Sequence, residues 1–517
     1  MRRTRAVLAT LTVAASVLTG AGVSSAAVVP VLPAELPLGA PGLPEQRLSR
    51  DLAPGVTLHS VVRGAADPDD GYTATAGFVA SPQDLPALED KVRAAGLVPR
   101  REQAGTAGWL VRVGMFRTQA EAEAVLPALR SAGLSPRVDH TLDDGRVSDG
   151  PYRVHVVVID PRRFTGSTRA VLAKDTVAGR ETTSSMAART GALAAINGGY
   201  FTIDGTRDVP GPWLEGTDGD PAGLSVIDGK VLSEPVGDRP SLVLRNGRAE
   251  VRRLTADLWL HGPRSERVTG LNRVPGLVVN CGGVGTLLAA HDYTCGNPDD
   301  LVVFSHDFGS TLPTGAGFQI ELDRHGRVIA TGPRGGANPA PGHSVVQALG
   351  AAADRLRESA RPGTRWVQRS TVLDAETNRP LPLGGNTAVI NGGPLLVDRG
   401  VVALDPARDG WSPDPIAGTP RADFFWRWYE RRNPRTAAGV LPDGRLVLVQ
   451  SDGRAPGWSA GLTIEETARL LDALGAQRAV NLDGGGSSTV VAQGQMLNRP
   501  SDAAGERPAG DAVVLIP

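Results

Sequence analysis

Residues 481–491 read NLDGGGSSTVV, and the chain on both sides of them shows what they connect. Upstream, T-I-E-E at 463–466 is a capping box, and Ala468, Leu471 and Leu474 form an apolar stripe that Gly475 stops. This predicted helix feeds AVNL (479–482), a short apolar strand with Asp483 at its end. Gly484, Gly485 and Gly486 can take backbone angles closed to other residues, so their N–H groups are expected to turn toward one point. Ser487 and Ser488 add hydroxyls, and STVVA (488–492) leaves as the next strand. Such a bend suits an anionic or polyhydroxy ligand. No Lys follows the glycines and no helix opens there, which excludes a Walker A loop. The plainer alternative is a glycine bulge with a turn-capping Asp.

Other segments repeat the style. AAINGGYF (194–201) and AVINGGPLL (388–396) each set an Asn at a strand end before two glycines, Gly198 and Gly199 in the first case. RNPRTAAGV (432–440) sets Arg435 at a strand entrance, and SDGR (451–454) sets Asp452 at a strand exit, two residues before Arg454. An Arg fork binds phosphate in bidentate fashion, which suits Arg435 and Arg454. Each turn alone is better read as a hairpin; their recurrence within one region points to a site.

The 517 residues exceed one ordinary core, and 54 basic against 55 acidic residues argue against nucleic acid or an anionic membrane as partner. MRRTR, a short apolar run and VSSAA read as a secretory signal peptide over 1–27, with no membrane span left after cleavage and a secreted or wall-associated product. Export favours pairing of the two cysteines, Cys281 and Cys295; two are too few for a zinc-cysteine site. Residues 28–70, rich in Pro and Gly without a sustained period, read as a linker. Next, GFVASPQDLPALEDKVRAAGLVPR (77–100) and GMFRTQAEAEAVLPALRSAGLSPR (114–137) align without a gap. Each opens as a strand, passes Ser81 or Thr118 as a helix N-cap, and ends its helix at Gly96 or Gly133. Two such halves predict a small ferredoxin-like sheet with helices on one face, over 71–141. From 150 to 517, short β-rich runs such as YRVHVVVID (152–160) alternate with Gly, Pro and Asp turns. Helices are few there; SVVQALGAAADRLRES (344–359) is a second candidate. The fold class is α+β, with a β-dominated C-terminal domain.

The repeat, with Gly114 and Phe116 in its "vGsF"-like stretch, resembles the SPOR domain, which implies binding to glycan strands of peptidoglycan. AAINGGYF, INGGPLLV, NPRTAAGV, SDGR, NLDGGGSST and NRPSDAAGERP, in that order, resemble the phosphodiester glycosidase family. That resemblance implies hydrolysis of a sugar-1-phosphodiester in a cleft lined by Asn197, Arg435, Asp452, Asp483, Ser487 and Ser488, with Arg499 and Arg507 contributing. Glycoside cleavage asks for carboxylates, typically a pair. Asp483 is expected to lead, with Asp452 as partner and Glu215 and Glu321 as further candidates for the second acid. A phosphate leaving group needs little protonation and mainly wants its charge stabilised, the task given to Arg435 and the glycine nest. No cofactor is implied, although clustered Asp and backbone carbonyls leave room for a structural calcium. Two other readings are a non-catalytic wall-glycan binder and a hydrolase of ordinary O-glycosides.

Overall fold

The computed structural model describes residues 31–203, 216–281, 291, 293–411 and 423–517. The predicted leader and Glu215 lie outside the described residues. The centre of the fold is an antiparallel eight-stranded sheet, in the order Glu45–Ala53, Val56–Arg63, Tyr152–Ile159, Leu446–Ser451, Arg435–Val440, Arg478–Asn481, Leu395–Asp398 and Val401–Val402. A five-stranded sheet contains Val490–Ala492, Ala194–Asn197 and Asp511–Ile516 as neighbours. Val157, Leu448, Val480 and Leu482 from the first side share one buried core with Ile196, Val490, Val513 and Leu515 from the second. The triple-glycine bend is the crossing between these two sheets. Two further layers follow in the chain, one antiparallel and one with a single parallel pair, the latter packed on its own core around Val303, Ile320, Val346 and Trp366.

The linker reading of 28–70 is corrected. Val56–Arg63 pairs along its whole length with Tyr152–Ile159, and Glu45–Ala53 pairs outside it. Val56 and Leu58 alternate into the core and Val61 is buried on the other face, while the outer strand is almost wholly exposed, which hides its period. Arg63, 1% exposed, fastens the Pro-rich run before it by donating to Leu38 O and to Glu45 at 2.8 Å. The large domain therefore begins before the small one interrupts it.

The small domain is a four-stranded antiparallel sheet, Pro99–Ala104, Gly108–Phe116, Tyr72–Val79 and Arg137–His140, with its helices on one face around Ala74, Val92, Val111 and Leu129. Thr118 closes a capping box with Glu121, and Gly96 and Gly133 both take φ +75° where the helices end. Ser81 makes no side-chain cap. In the large domain the box Thr463–Glu466 starts the helix Ile464–Ala473 as expected. The candidate helix 344–359 is half strand: Ser344–Ala348 joins a sheet, and only Gly350–Ser359 is helical. SVVQA is β-branched and buried on both faces, so tertiary pairing overrides the helical period. Cys281 and Cys295 are bonded, with Cα atoms 5.1 Å apart.

Candidate active site

Asn481 ends its strand and donates to the Tyr200 hydroxyl at 2.7 Å, which in turn donates to Gly393 O at 2.6 Å. Asp483 follows. Its N–H reaches Gly198 O at 3.1 Å, and its carbonyl accepts from Asn197 Nδ2 at 2.8 Å. Asn197 Oδ1 also accepts from Thr436 Oγ1 at 2.7 Å and Thr489 N at 3.0 Å. Wholly buried, Asn197 is thus a keystone that ties its own strand to Asp483, Thr436 and Thr489. The two NGG turns clasp each other, Tyr200 N donating to Asn391 Oδ1 and Asn391 Nδ2 to Tyr200 O, each at 3.0 Å. A side chain at Gly198 would meet the Asp511 carboxylate, and one at Gly199 the Asn391 carbonyl.

The glycine nest is corrected. Gly484 N donates to Asp483 Oδ1 at 2.9 Å, Gly485 N to Pro434 O at 2.9 Å, Ser487 N to Gly484 O and Ser488 N to Gly485 O. Those N–H groups are consumed by the protein. The glycines serve close approach instead. Gly485 has φ +63°, and a Cβ on it would stand 3.3 Å from Arg454 Nη2. A Cβ on Gly486 would overlap the Arg507 guanidinium and Asp502 Oδ1. Two guanidinium groups therefore lie directly on the bend. Ser487 Oγ and Ser488 Oγ are buried beside them with no hydrogen-bond partner among the described residues.

The four arginines separate by how their donors are spent. Arg435, 2% exposed, gives Nε to Leu462 O at 2.9 Å and Nη2 to Trp428 O and Arg431 O, under the Trp428 ring. Burial lowers its pKa to about 9, still charged at neutral pH, and these bonds brace it beside Gly484. Arg507 is held in a bidentate pair with Asp502, at 2.8 and 3.0 Å. Arg499 has its N–H on Asp452 Oδ2 and its guanidinium 5.8 Å from the Trp458 ring. Arg454 differs. It reaches solvent, sits in the left-handed region at φ +53°, and donates Nε to Asn433 Oδ1 at 2.8 Å. No carboxylate among the described residues is within ion-pair distance of it, while Arg431 and Arg507 lie near enough to disfavour its charge.

The second acid is also reassigned. Asp452, 1% exposed, accepts from Gln450 Nε2 at 3.1 Å on one oxygen, and from Trp458 Nε1 at 2.6 Å and Arg499 N on the other. It is a scaffold. Glu321 belongs to another sheet, 3.6 Å from His343. The carboxyl next to Asp483 is Asp511, which opens the last strand and which sequence reading missed. Its Oδ1 accepts from Gly199 N at 2.7 Å, and its Oδ2 is buried without a partner among the described residues. Burial pushes its pKa up to about 7, the Gly199 N–H opposes the rise, and the charge of Asp483 adds to it. Nothing local marks Asp511 in GDAVVLIP; only its pairing with Ala194–Asn197 brings it under the NGG turn. Burial and Asp483 likewise push Tyr200 well above the usual tyrosine range. Among the described residues, no group of three or more His, Cys, Asp or Glu could hold a metal ion, so the calcium expectation finds no site there.

An acid and an unpaired guanidinium over one sheet-to-sheet bend, in a β-dominated α+β fold with a βαβ-repeat appendage, define the class of protein. Comparison with known proteins identifies two domains within the chain. A phosphodiester glycosidase model matches residues 323–516 and a SPOR domain model residues 68–138. The solved structure of a Burkholderia pseudomallei protein described as exported is 36% identical over 94% of this chain and 99% of that one, with a TM-score of 0.86. A hypothetical protein of Synechocystis shares the fold at 18% identity and a TM-score of 0.51. The bovine N-acetylglucosamine-1-phosphodiester alpha-N-acetylglucosaminidase is 30% identical over 139 residues, 27% of this chain and 24% of the relative; its mouse counterpart is 36% identical over 84 residues, 16% of each. Residues 323–516 match the phosphodiester glycosidase domain and residues 68–138 the SPOR domain, and the chain spans about a quarter or less of the curated relatives it matches.

Proposed function

We propose that this protein is an exported hydrolase that cleaves the bond between a sugar and a phosphodiester in cell-envelope or extracellular glycans. The observation that carries the reading is the convergence of Asp483 and the unpaired Arg454 on one triple-glycine bend. Asp483 serves the anomeric carbon as its positive charge develops, and Arg454, joined by Arg507 and the Ser487 and Ser488 hydroxyls, takes the departing phosphate. Asp511 is a positioning residue. Buried beneath Gly199, it holds its proton below about pH 7, which leaves Asp483 the charged member of the pair there. Export is supported by the leader-like N-terminus and the Cys281–Cys295 bond, and no helix among the described residues is long and apolar enough to cross a membrane. The SPOR domain makes peptidoglycan glycan strands the expected partner.

The test offers the full-length protein a panel of sugar-1-phosphate diesters and phosphate-free glycosides, beside Asp483→Asn. Turnover of the diesters should fall by orders of magnitude in the variant. Equal background rates for both proteins would sink the assignment. Binding without turnover would return the protein to the glycan-binding class. Turnover of phosphate-free substrates, indifferent to Arg454→Gln, would make it an ordinary glycosidase.

A further inference from the structure

The face of the small sheet turned away from its helices is covered. Neighbouring residues along a strand point to opposite faces. Ala74, Ala76, Val111 and Val113 pack under the helices, which leaves Thr73, Thr75, Arg112 and Asp139 on the other side, all buried. Over them lies the segment 423–433 of the large domain. Arg431 enters between two acids, one on the small domain's last strand and one in the turn after it, with Nη1 2.8 Å from Asp139 Oδ1 and Nη2 3.1 Å from Asp143 Oδ2. Arg112, Arg137 and Arg431 all set their guanidinium groups around the Trp426 ring, at 5.9, 5.7 and 5.4 Å. Arg137 also pairs with Asp423 at 2.9 Å. At the sheet's end Glu430 accepts from Thr106 N at 2.7 Å and Thr106 Oγ1 at 2.6 Å. The Arg431 and Trp426 contacts are charged and largely buried, with the Glu430 bonds exposed at the rim, unlike those of a module swinging on a tether.

The same segment runs on into the site. Asn433 Nδ2 donates to Arg427 O at 2.9 Å and Arg431 O at 3.0 Å, and Asn433 Oδ1 accepts Arg454 Nε at 2.8 Å. Pro434 O accepts from Gly485 N, the glycine that Arg454 covers. From Asp139 and Asp143, through Arg431 and Asn433, to Arg454 and the bend, every link is a direct contact.

We propose that the end of the small domain is a working part of the active site: Asp139 on its last strand and Asp143 in the turn that follows are positioning residues that, through Arg431 and Asn433, hold Arg454 in the orientation that receives the substrate's phosphate. This rests on the phosphate-binding role of Arg454. Arg454 occupies a left-handed backbone conformation that a non-glycine side chain adopts only when its surroundings hold it there. Neutralising the two acids unseats Arg431, takes its carbonyl from Asn433 Nδ2, and lets the Asn433 acceptor leave Arg454. A domain that only anchors the protein to the wall would transmit nothing to the bend.

The experiment uses the full chain, inorganic phosphate as calorimetric probe, and steady-state turnover of whichever sugar-1-phosphodiester the panel identifies. Arg454→Gln comes first: if it binds phosphate as tightly as the wild type, the premise about Arg454 fails, whatever the small domain does. With that affinity lost, the double variant Asp139→Asn with Asp143→Asn should weaken phosphate binding and raise KM about 2- to 30-fold. kcat should stay unchanged, and little should be added to the effect of Arg454→Gln. Unchanged affinity and KM in the folded variant overturn the proposal, as does an effect that adds fully to that of Arg454→Gln. If the double variant loses its cooperative unfolding transition, Arg431→Lys, which keeps the buried charge and removes the fork, is read by the same criteria.

Discussion

Asp483 and Asp511 meet at Gly198 and Gly199, one through its N–H on the Gly198 carbonyl, the other through a carboxylate under the Gly199 N–H. Two carboxylates so placed do not both ionise easily, and burial selects Asp511 to stay neutral. Above pH about 7 a second negative charge forms beside Asp483, where it repels an incoming phosphodiester. kcat/KM should therefore fall on the alkaline side with an apparent pKa near that value, and Asp511→Asn should abolish this limb of the profile. The same group sets a stability slope. Its folded pKa lies above the ordinary 3.8, so between about pH 4 and 7 the folded chain holds a proton that the unfolded chain has released. Stability from this group is full below that window and is lost as pH rises through it, by on the order of 4 kcal/mol. Asn keeps the acceptor for Gly199 N–H and does not titrate. Urea unfolding at pH 8 should find Asp511→Asn more stable than the wild type, and the difference should shrink toward pH 4; a variant equally weak at both pH values would count against the buried-acid assignment.

At the level of elements, the bend depends on three glycines for reasons that differ along it. Gly485→Ala forces a side chain into φ +63° and against Arg454, at about 1–2 kcal/mol for the backbone alone. Gly486→Ala meets Arg507, a flexible side chain that can swing aside. The first substitution should lower both Tm and substrate affinity; the second should raise KM with a smaller loss of Tm, measurable by thermal scans beside steady-state kinetics. What was legible in the sequence follows the range of the forces involved. Thr118 with Glu121 and Thr463 with Glu466 are capping boxes closed within four residues, and both helices form where the sequence places them. Asn197, Asn391, Arg435 and Asp452 were rightly placed at strand ends, but the destinations of their polar atoms are tertiary. Hence Arg435 and Arg454, alike as letters, differ in role because one is roofed by Trp428 and the other faces solvent. The expected nest failed for the same reason, since Pro434 O, the acceptor for Gly485 N, arrives from another strand.

For the molecule as a whole, the insertion of the small domain after the first hairpin means that the catalytic layer is not contiguous in the chain. Glu45–Ala53 and Val56–Arg63 complete the edge of the sheet whose middle carries Arg435–Val440 and Leu446–Ser451. Leu52, Val56, Leu58 and Val61 are at most 9% exposed. At roughly 1.5–3 kcal/mol for each buried side chain, the four contribute about 6–12 kcal/mol, an upper estimate that rivals the whole stability of a typical domain, about 5–15 kcal/mol. Without the hairpin, Tyr152–Ile159 would become a bare apolar edge, a template for aggregation. A fragment of residues 150–517, cut at the boundary that the sequence suggests, should therefore be recovered insoluble or unfold without a cooperative transition. A chain that keeps 32–64 and 142–517, joined by a short Gly/Ser linker in place of the small domain, should regain the sheet and stay soluble. That chain keeps Asp143 and loses Asp139, so if Arg431 needs both acids it should still bind phosphate more weakly than the full protein. A 150–517 fragment that folds cooperatively and turns over substrate like the intact chain would refute the account of the hairpin and of the small domain together.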